Sequence, residues 1–184
     1  MMGYRDEFVL TAAHCQASIY YVHVGLHEFI NDQTPKGIGV IRAIRHEHYN
    51  EKMKSNDIML LKLSEKVQFT KHVRQIKLAR QLVSLPQNCT VSGWGYSDNR
   101  PYMASKLREV NVTVVDSESC AAHHSYCSVG ETGPAQGDSG GPLVCENELA
   151  FGIVSFRTRS FPINYVFVKI PDYFDWIEHH IMKK

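Results

Sequence analysis

Short β-type runs separated by turn residues follow one another along most of this chain. Branched and aromatic side chains dominate the runs, and Gly, Asn, Asp and Pro interrupt them. The runs lie at 8–10, 19–24, 38–44, 58–63, 90–94, 107–115, 142–145, 151–156 and 165–170. The more polar stretch 64–87 reads as a connection between two sets of strands. Many short strands with close turns predict an all-β sandwich or barrel architecture.

The C-terminal segment has a different periodicity. Pro171 and Asp172 suit the first turn of a helix, where proline is tolerated and a negative charge is favourable. The apolar residues after them recur at helical spacing; they are Tyr173, Phe174, Ile177 and Ile181. The pattern predicts one closing α-helix at about 171–183.

Composition excludes several functional classes. The chain has 184 residues, of which 43% are hydrophobic, and a formal net charge of +1. This length supports a sizeable core, whereas the near-neutral charge offers no general attraction for nucleic acid or an anionic membrane. No apolar run is long enough to span a bilayer.

The segment Gly137-Asp138-Ser139-Gly140-Gly141-Pro142 places a serine among glycines. A serine hydroxyl becomes a useful nucleophile only when a base takes its proton. The glycines permit a tight turn in which the N–H groups of Gly137 and Ser139 converge on a developing oxyanion. The alternative is a plain glycine-rich turn.

Two other segments supply the remaining chemistry. His14, in the segment 10–15, is a candidate general base, and Asp57, which enters an apolar strand, needs a hydrogen-bonded partner if it is buried. The alternatives are a core histidine and an aspartate that only initiates a strand.

Together, in the order His, Asp, Ser, these segments resemble the signature segments of the chymotrypsin-like (trypsin-fold) serine proteases. The segments 93–95 and 176–177 also match, and 5–10, 55–61 and 93–96 resemble the granzyme, cathepsin G and chymase branch. The resemblance extends from about residue 6 to 184. It implies two antiparallel β-barrels with the catalytic cleft between them, and we divide the chain into 1–76 and 77–184.

The resemblance implies a serine endopeptidase that works through an acyl-enzyme. His14 is then the general base and acid, Asp57 orients it, and Ser139 attacks the peptide carbonyl. The oxyanion hole consists of the N–H groups of Gly137 and Ser139. The alternative is a catalytically silent homologue, or a truncated fragment, that acts by binding.

The family's substrate-binding positions correspond to Gly133, Ser155, Phe156, Arg157 and Tyr165. Gly133 stands at the base of the pocket, where a preference for Lys or Arg would require an acidic residue. Tyr165 either fills the pocket and favours small side chains or blocks it. Arg157 either attracts an acidic side chain or is a solvated surface arginine.

Five cysteines leave one without a partner. The resemblance implies the pairs Cys89–Cys145 and Cys120–Cys127, and leaves Cys15 unpaired because its family partner lies on a strand upstream of Met1. We therefore expect an N-terminal truncation and an incomplete first barrel. In the family, a new N-terminal amine released by proteolysis pairs with the aspartate just before the serine, which corresponds to Asp138. Because the start is truncated, we expect Asp138 to lack this amine.

The resemblance also implies protein or peptide substrates, serpin-type inhibitors, a monomer, and secretion or storage in a cytolytic or secretory granule. No signal peptide opens the chain, although sequons at Asn88 and Asn111 favour a secretory route. We expect no cofactor and no metal, because neighbouring histidines on a helix point to different faces. The competing hypothesis is a metal-binding module built from His123–His124, His179–His180 or His46 with His48.

Overall fold

The computed structural model describes residues 2–29, 37–80, 85–97, 100–121, 123–158 and 162–183. Its first sheet contains five antiparallel strands, in the order β1-β2-β5-β4-β3. The strands are β1 (Met2–Arg5), β2 (Phe8–Thr11), β3 (Tyr21–Val22), β4 (Ile38–Arg45) and β5 (Met59–Leu63). In the described part of the chain β1 and β3 form no ladder with each other, so this sheet is an open half-barrel.

The second sheet closes on itself. Its strands run in the order β12-β7-β10-β11-β14-β13, and β12 also pairs with β13, which completes a six-stranded antiparallel barrel. The strands after β5 are β6 (Lys77–Leu78), β7 (Asn88–Gly93), β8 (Tyr96–Ser97), β9 (Arg100–Met103), β10 (Arg108–Val115), β11 (Ser125–Val129), β12 (Pro142–Cys145), β13 (Leu149–Arg157) and β14 (Asn164–Lys169). The short β6 adds to β13 in parallel, and β8 and β9 form a separate hairpin.

Strands β2 and β5 of the first sheet are buried on both faces, whereas β4 is partly or fully exposed along its length. Successive side chains of a strand point to opposite faces. Leu10 and Leu60 point into an apolar cluster that also contains Ile153 from the barrel and Ile177 from the C-terminal segment. Their neighbour Leu61 points into a second cluster, on the other face of the sheet. The first cluster therefore joins the half-barrel, the closed barrel and the C-terminal helix.

The C-terminal segment begins with a 3-10 turn, Ile170–Tyr173, and continues as an α-helix, Phe174–Met182. Ile177 is fully buried and Ile181 is 9% exposed, as the helical spacing predicts. A short helix also lies at Glu118–Ala121. The predicted all-β fold with an incomplete first barrel and a closing helix is confirmed, whereas the boundary between residues 76 and 77 stays a prediction. None of the described helices has the length and apolarity needed to cross a membrane.

Two disulfides link elements of the closed barrel. Cys89–Cys145 joins β7 to β12, and Cys120–Cys127 joins the short helix to β11. These are the pairs that the resemblance implies. Cys15 is a free thiol.

Candidate active site

His14 lies on a tight turn directly after β2. The turn is a single 3-10 segment, Ala13–Cys15, in which Cys15 N donates to Ala12 O. Ala12 and Ala13 are fully buried, so small side chains are needed for the chain to turn against the core. The His14 side chain is 20% exposed and reaches the surface between the two sheets.

Asp57 is fully buried two residues before β5, yet its carboxylate is well partnered. His14 donates twice, from its backbone N to Oδ1 at 2.8 Å and from Nδ1 to Oδ2 at 2.7 Å. Ser155 Oγ donates to Oδ2 at 2.6 Å. Because a carboxylate only accepts, the proton between the two side chains sits on Nδ1, and Nε2 is the nitrogen left for other chemistry.

The paired groups shift each other's titration. Burial by itself raises the pKa of Asp57, but hydrogen bonds from His14 and Ser155 outweigh it, so the pKa lies below its ordinary value. The hydrogen bond to Asp57, followed by the contact with Cys15, raises the pKa of His14 from 6.5 to about 9. The pair therefore favours an imidazolium next to a carboxylate.

Ser139 lies on the loop that precedes β12. Gly137 and Gly140 have φ values of 99° and 76°, which only glycine adopts readily. Gly140 N donates to Val154 O at 2.9 Å, which fixes the loop to β13. A Cβ at Gly140 would lie 2.2 Å from Thr11 Oγ1, so the residue after Ser139 packs directly against the His14 segment.

The structure does not join all three predicted catalytic side chains by hydrogen bonds. His14 and Asp57 are in direct contact, but no hydrogen bond joins Ser139 Oγ to His14 within the described residues. Instead, His14 Nε2 lies 3.9 Å from Cys15 Sγ. The backbone N–H groups of Gly137 and Ser139 likewise donate to no backbone carbonyl of the described chain.

Asp138, which was expected to lack the family's N-terminal amine, accepts hydrogen bonds from two backbone amides. Its Oδ1 accepts a hydrogen bond from Gly95 N and its Oδ2 accepts one from Ala135 N, both at 2.8 Å. Gly93 and Gly95 are required here, because a Cβ at either would lie within 2.6 Å of the Asp138 carboxylate. Two backbone amides thus satisfy a charge that would otherwise be costly to bury.

The predicted substrate-binding positions come together at one end of the closed barrel. Tyr165 is 2% exposed, and its ring covers Gly133 so closely that a Cβ there would lie 2.6 Å from ring carbons. Arg157 pairs with Tyr165 across the β13–β14 ladder, and both Arg157 and Phe156 are exposed. The ring therefore occupies the space above Gly133.

Sequence reasoning assigned Ser155 only to the substrate strand and missed its bond to Asp57. It also missed the contact between Cys15 and His14. No local signal marks the first of these, because the two residues are 98 positions apart. Among the described residues, no three His, Cys, Asp or Glu side chains form a metal-ligand cluster.

Comparison with known proteins shows which family this chain resembles in sequence and fold. The family model described as Trypsin matches residues 3–177. Granzyme-like protein 1 of Rattus norvegicus is 36% identical over 97% of this chain and 77% of that protein. Granzyme H of Homo sapiens is 39% identical over 95% and 76%. The solved structure of GrC superposes with a TM-score of 0.87 at 34% identity, covering 97% of this chain and 85% of that one.

Proposed function

This chain belongs to the trypsin family of serine endopeptidases, and we propose that it hydrolyses peptide bonds through an acyl-enzyme formed on Ser139. The observation that carries the proposal is the ion pair between His14 and the buried Asp57, whose carboxylate accepts hydrogen bonds from His14 Nδ1 at 2.7 Å and from His14 backbone N at 2.8 Å. A carboxylate that holds Nδ1 leaves Nε2 as the only ring nitrogen able to take a proton from a nucleophile.

In the proposed mechanism, Ser139 Oγ attacks the substrate carbonyl while its proton passes to His14 Nε2. The oxyanion then receives hydrogen bonds from the N–H groups of Gly137 and Ser139, neither of which has a backbone acceptor among the described residues. His14 returns the proton to the leaving amine, and water later hydrolyses the ester. Asp57 stays ionised and stabilises the imidazolium.

The free edge of β13 supports binding of an extended peptide. At Phe156 and Arg157 the strand pairs with β14 on one side, and Ser155 lies in an irregularity of that ladder. The ladder of β13 with β12 ends at Ile153. The other edge is therefore open along the described chain beside the His14 and Asp57 pair. A substrate segment can add there as an antiparallel strand.

The pocket supports a preference for small side chains before the scissile bond. Tyr165 fills the space over Gly133, and neither residue carries a charge. We expect the Tyr165→Ala variant to accept larger side chains, with at least a tenfold gain in kcat/KM for an aromatic over an alanine substrate. The matched Tyr165→Phe variant keeps the ring and should retain the original preference.

The direct test is labelling with a fluorophosphonate, read by intact mass and peptide mapping. We expect one adduct per chain, at Ser139, and none in the Ser139→Ala variant. Folded protein that takes up no label would support the alternative, a catalytically silent homologue that binds peptides. The absence of a Ser139–His14 hydrogen bond favours that alternative, although such bonds often tighten only when substrate binds.

We further propose that the protein acts in an oxidising compartment, either secreted or stored in a secretory granule. Its two disulfides support this, because disulfides persist outside the reducing cytosol. As a monomeric endopeptidase it would have protein and peptide substrates and would be trapped by serpin-type inhibitors. A complex with such an inhibitor that survives denaturation and depends on Ser139 would test this.

A further inference from the structure

Two N-glycosylation sequons lie on neighbouring strands of the closed barrel; they are Asn88-Cys89-Thr90 on β7 and Asn111-Val112-Thr113 on β10. The two strands pair antiparallel, with Asn88 opposite Thr113 and Asn111 opposite Thr90. Each asparagine therefore stands across from the threonine of the other sequon. The proposed catalytic mechanism uses none of these residues.

Both asparagines point to the outer face of the barrel, because side chains alternate along a strand. Asn88 and Asn111 are exposed, whereas the middle residues of the sequons point inward, with Cys89 at 3% and Val112 at 7% exposure. A groove of about 880 Å³ opens on this side of the barrel and is lined in part by Thr90. A bulky, hydrophilic group attached to this face therefore has room and stays in water.

The side-chain amide of Asn111 has the orientation that attachment of a sugar requires. Thr90 Oγ1 donates to Asn111 Oδ1 at 3.1 Å. The Nδ2 atom, to which an N-linked sugar is joined, makes no hydrogen bond within the described residues. The modified amide keeps its carbonyl oxygen as an acceptor, so the bond from Thr90 persists. The strand edge beside Asn111 is also open along the described chain, since the ladder of β10 with β11 begins only at Val114.

The sequon of Asn88 is more constrained. Its middle residue, Cys89, is crosslinked to Cys145 on β12, so an enzyme that binds the sequon as a free extended segment meets a tethered chain. Asn88 and Asn111 are diagonal neighbours across the ladder, a spacing of about 7–8 Å. Two branched oligosaccharides that leave the same face at this spacing would crowd each other, so the face has room for one.

We propose that Asn111 is N-glycosylated and that Asn88 stays unmodified. The proposal rests on the proposed secretory route, where oligosaccharides are attached, and not on catalysis by Ser139. In the transfer, Asn111 Nδ2 attacks the first sugar carbon of an oligosaccharide carried on a lipid pyrophosphate. An N–C bond forms, the C–O bond to the pyrophosphate breaks, and the proton that the nitrogen loses is taken up by solvent as the lipid pyrophosphate leaves.

The experiment translates the full chain behind a cleavable signal peptide in the presence of endoplasmic-reticulum microsomes. Intact mass before and after treatment with a peptide N-glycosidase counts the glycans, and peptide mapping in heavy-oxygen water marks the asparagine that the glycosidase converts to aspartate. We expect one glycan per imported chain, with at least fivefold higher occupancy of Asn111 than of Asn88. The Asn111→Gln variant should lose the glycan, and the matched Asn88→Gln variant should keep it.

Removal of the signal peptide identifies imported chains, so each result has one meaning. Imported chains with no glycan, with two, or with one on Asn88 would overturn the proposal. Native protein found outside the secretory pathway would overturn the proposed route, and it would leave the microsome result for the site unchanged. The rate of fluorophosphonate labelling at Ser139 tests the proposed catalysis separately.

The role of the disulfide is measured with the Cys145→Ser substitution, which frees Cys89 and leaves both sequons intact. Added to Asn111→Gln, it should raise the occupancy of Asn88 at least fivefold over Asn111→Gln alone. Occupancy is read directly on imported chains, so the comparison does not require a stable fold. Equal occupancy of Asn88 in the two variants would overturn the role assigned to the disulfide.

Discussion

The Asp57→Asn substitution tests the electrostatic reasoning directly, because it removes one negative charge and keeps the shape of the side chain. In the structure the pKa of His14 is raised from 6.5 to about 9, first by the hydrogen bond to Asp57 and second by the contact with Cys15. An adjacent opposite charge shifts a pKa by about 1–3 pH units. We expect the pKa of His14 to fall by about 2 pH units in the variant, which is roughly a 100-fold loss of proton affinity.

The assay is NMR titration of protein labelled at histidine. The chain has ten histidines, so the His14 resonance is assigned by its absence in a His14→Gln variant. Ser155→Ala is the matched control, since it removes a 2.6 Å hydrogen bond to Asp57 without touching His14. It should move the pKa of His14 by less than half as much as Asp57→Asn does.

Two results would refute the reasoning. One is a wild-type His14 that titrates near 6.5, and the other is an Asp57→Asn variant that is folded but titrates like the wild type. The same pKa has a kinetic consequence. Because the imidazolium cannot accept a proton, the rate of Ser139 labelling in the wild type should rise as the pH passes through about 9.

Three further predictions concern stability. Because the pKa of His14 is raised, the folded state binds more protons than the unfolded state between pH 6.5 and about 9. The contribution of His14 to the free energy of unfolding is therefore full below pH 6.5 and is lost as the pH rises through about 9. Urea unfolding of the wild type and of His14→Gln across this pH range measures that contribution. Gly140→Ala should cost about 3 kcal/mol in urea unfolding, because φ is 76° and a Cβ would lie 2.2 Å from a buried threonine hydroxyl. Gly39→Ala, whose Cβ would meet nothing closer than 3.6 Å, should change stability by less than about 1 kcal/mol, and equal effects would contradict this. Replacing both Cys89 and Cys145 by serine opens a crosslink between residues 56 positions apart and should cost about 4 kcal/mol, whereas an unchanged thermal midpoint would contradict the estimate.

Much of the fold was predictable because its signals are local. The closing helix follows from the spacing of Ile177 and Ile181, and both side chains are buried. The strands of the closed barrel follow from short apolar runs bounded by turn residues. The closure of that barrel depends on the pairing of β12 with β13, which no single run encodes.

The candidate site was predictable in part. His14 and Asp57 were expected to be partners, and the structure brings them into contact. Asp138 was expected to lack the N-terminal amine that pairs with it in the family, but sequence reasoning did not foresee that backbone amides of Gly95 and Ala135 donate to it. Backbone donors leave no trace in residue identity, so sequence reasoning could not count them.

By itself the sequence determined which residue types are available for chemistry and their order along the chain, because motifs such as 137–142 act over a few positions. Only the tertiary structure decided which of them touch. The hydroxyl of Ser155 reaches Asp57 across 98 positions, and the ring of Tyr165 covers Gly133. The Ser155–Asp57 contact arises where the half-barrel packs against the closed barrel, and the Tyr165–Gly133 contact joins β14 to the loop before β12. Both depend on the packing of distant elements rather than on neighbouring residues.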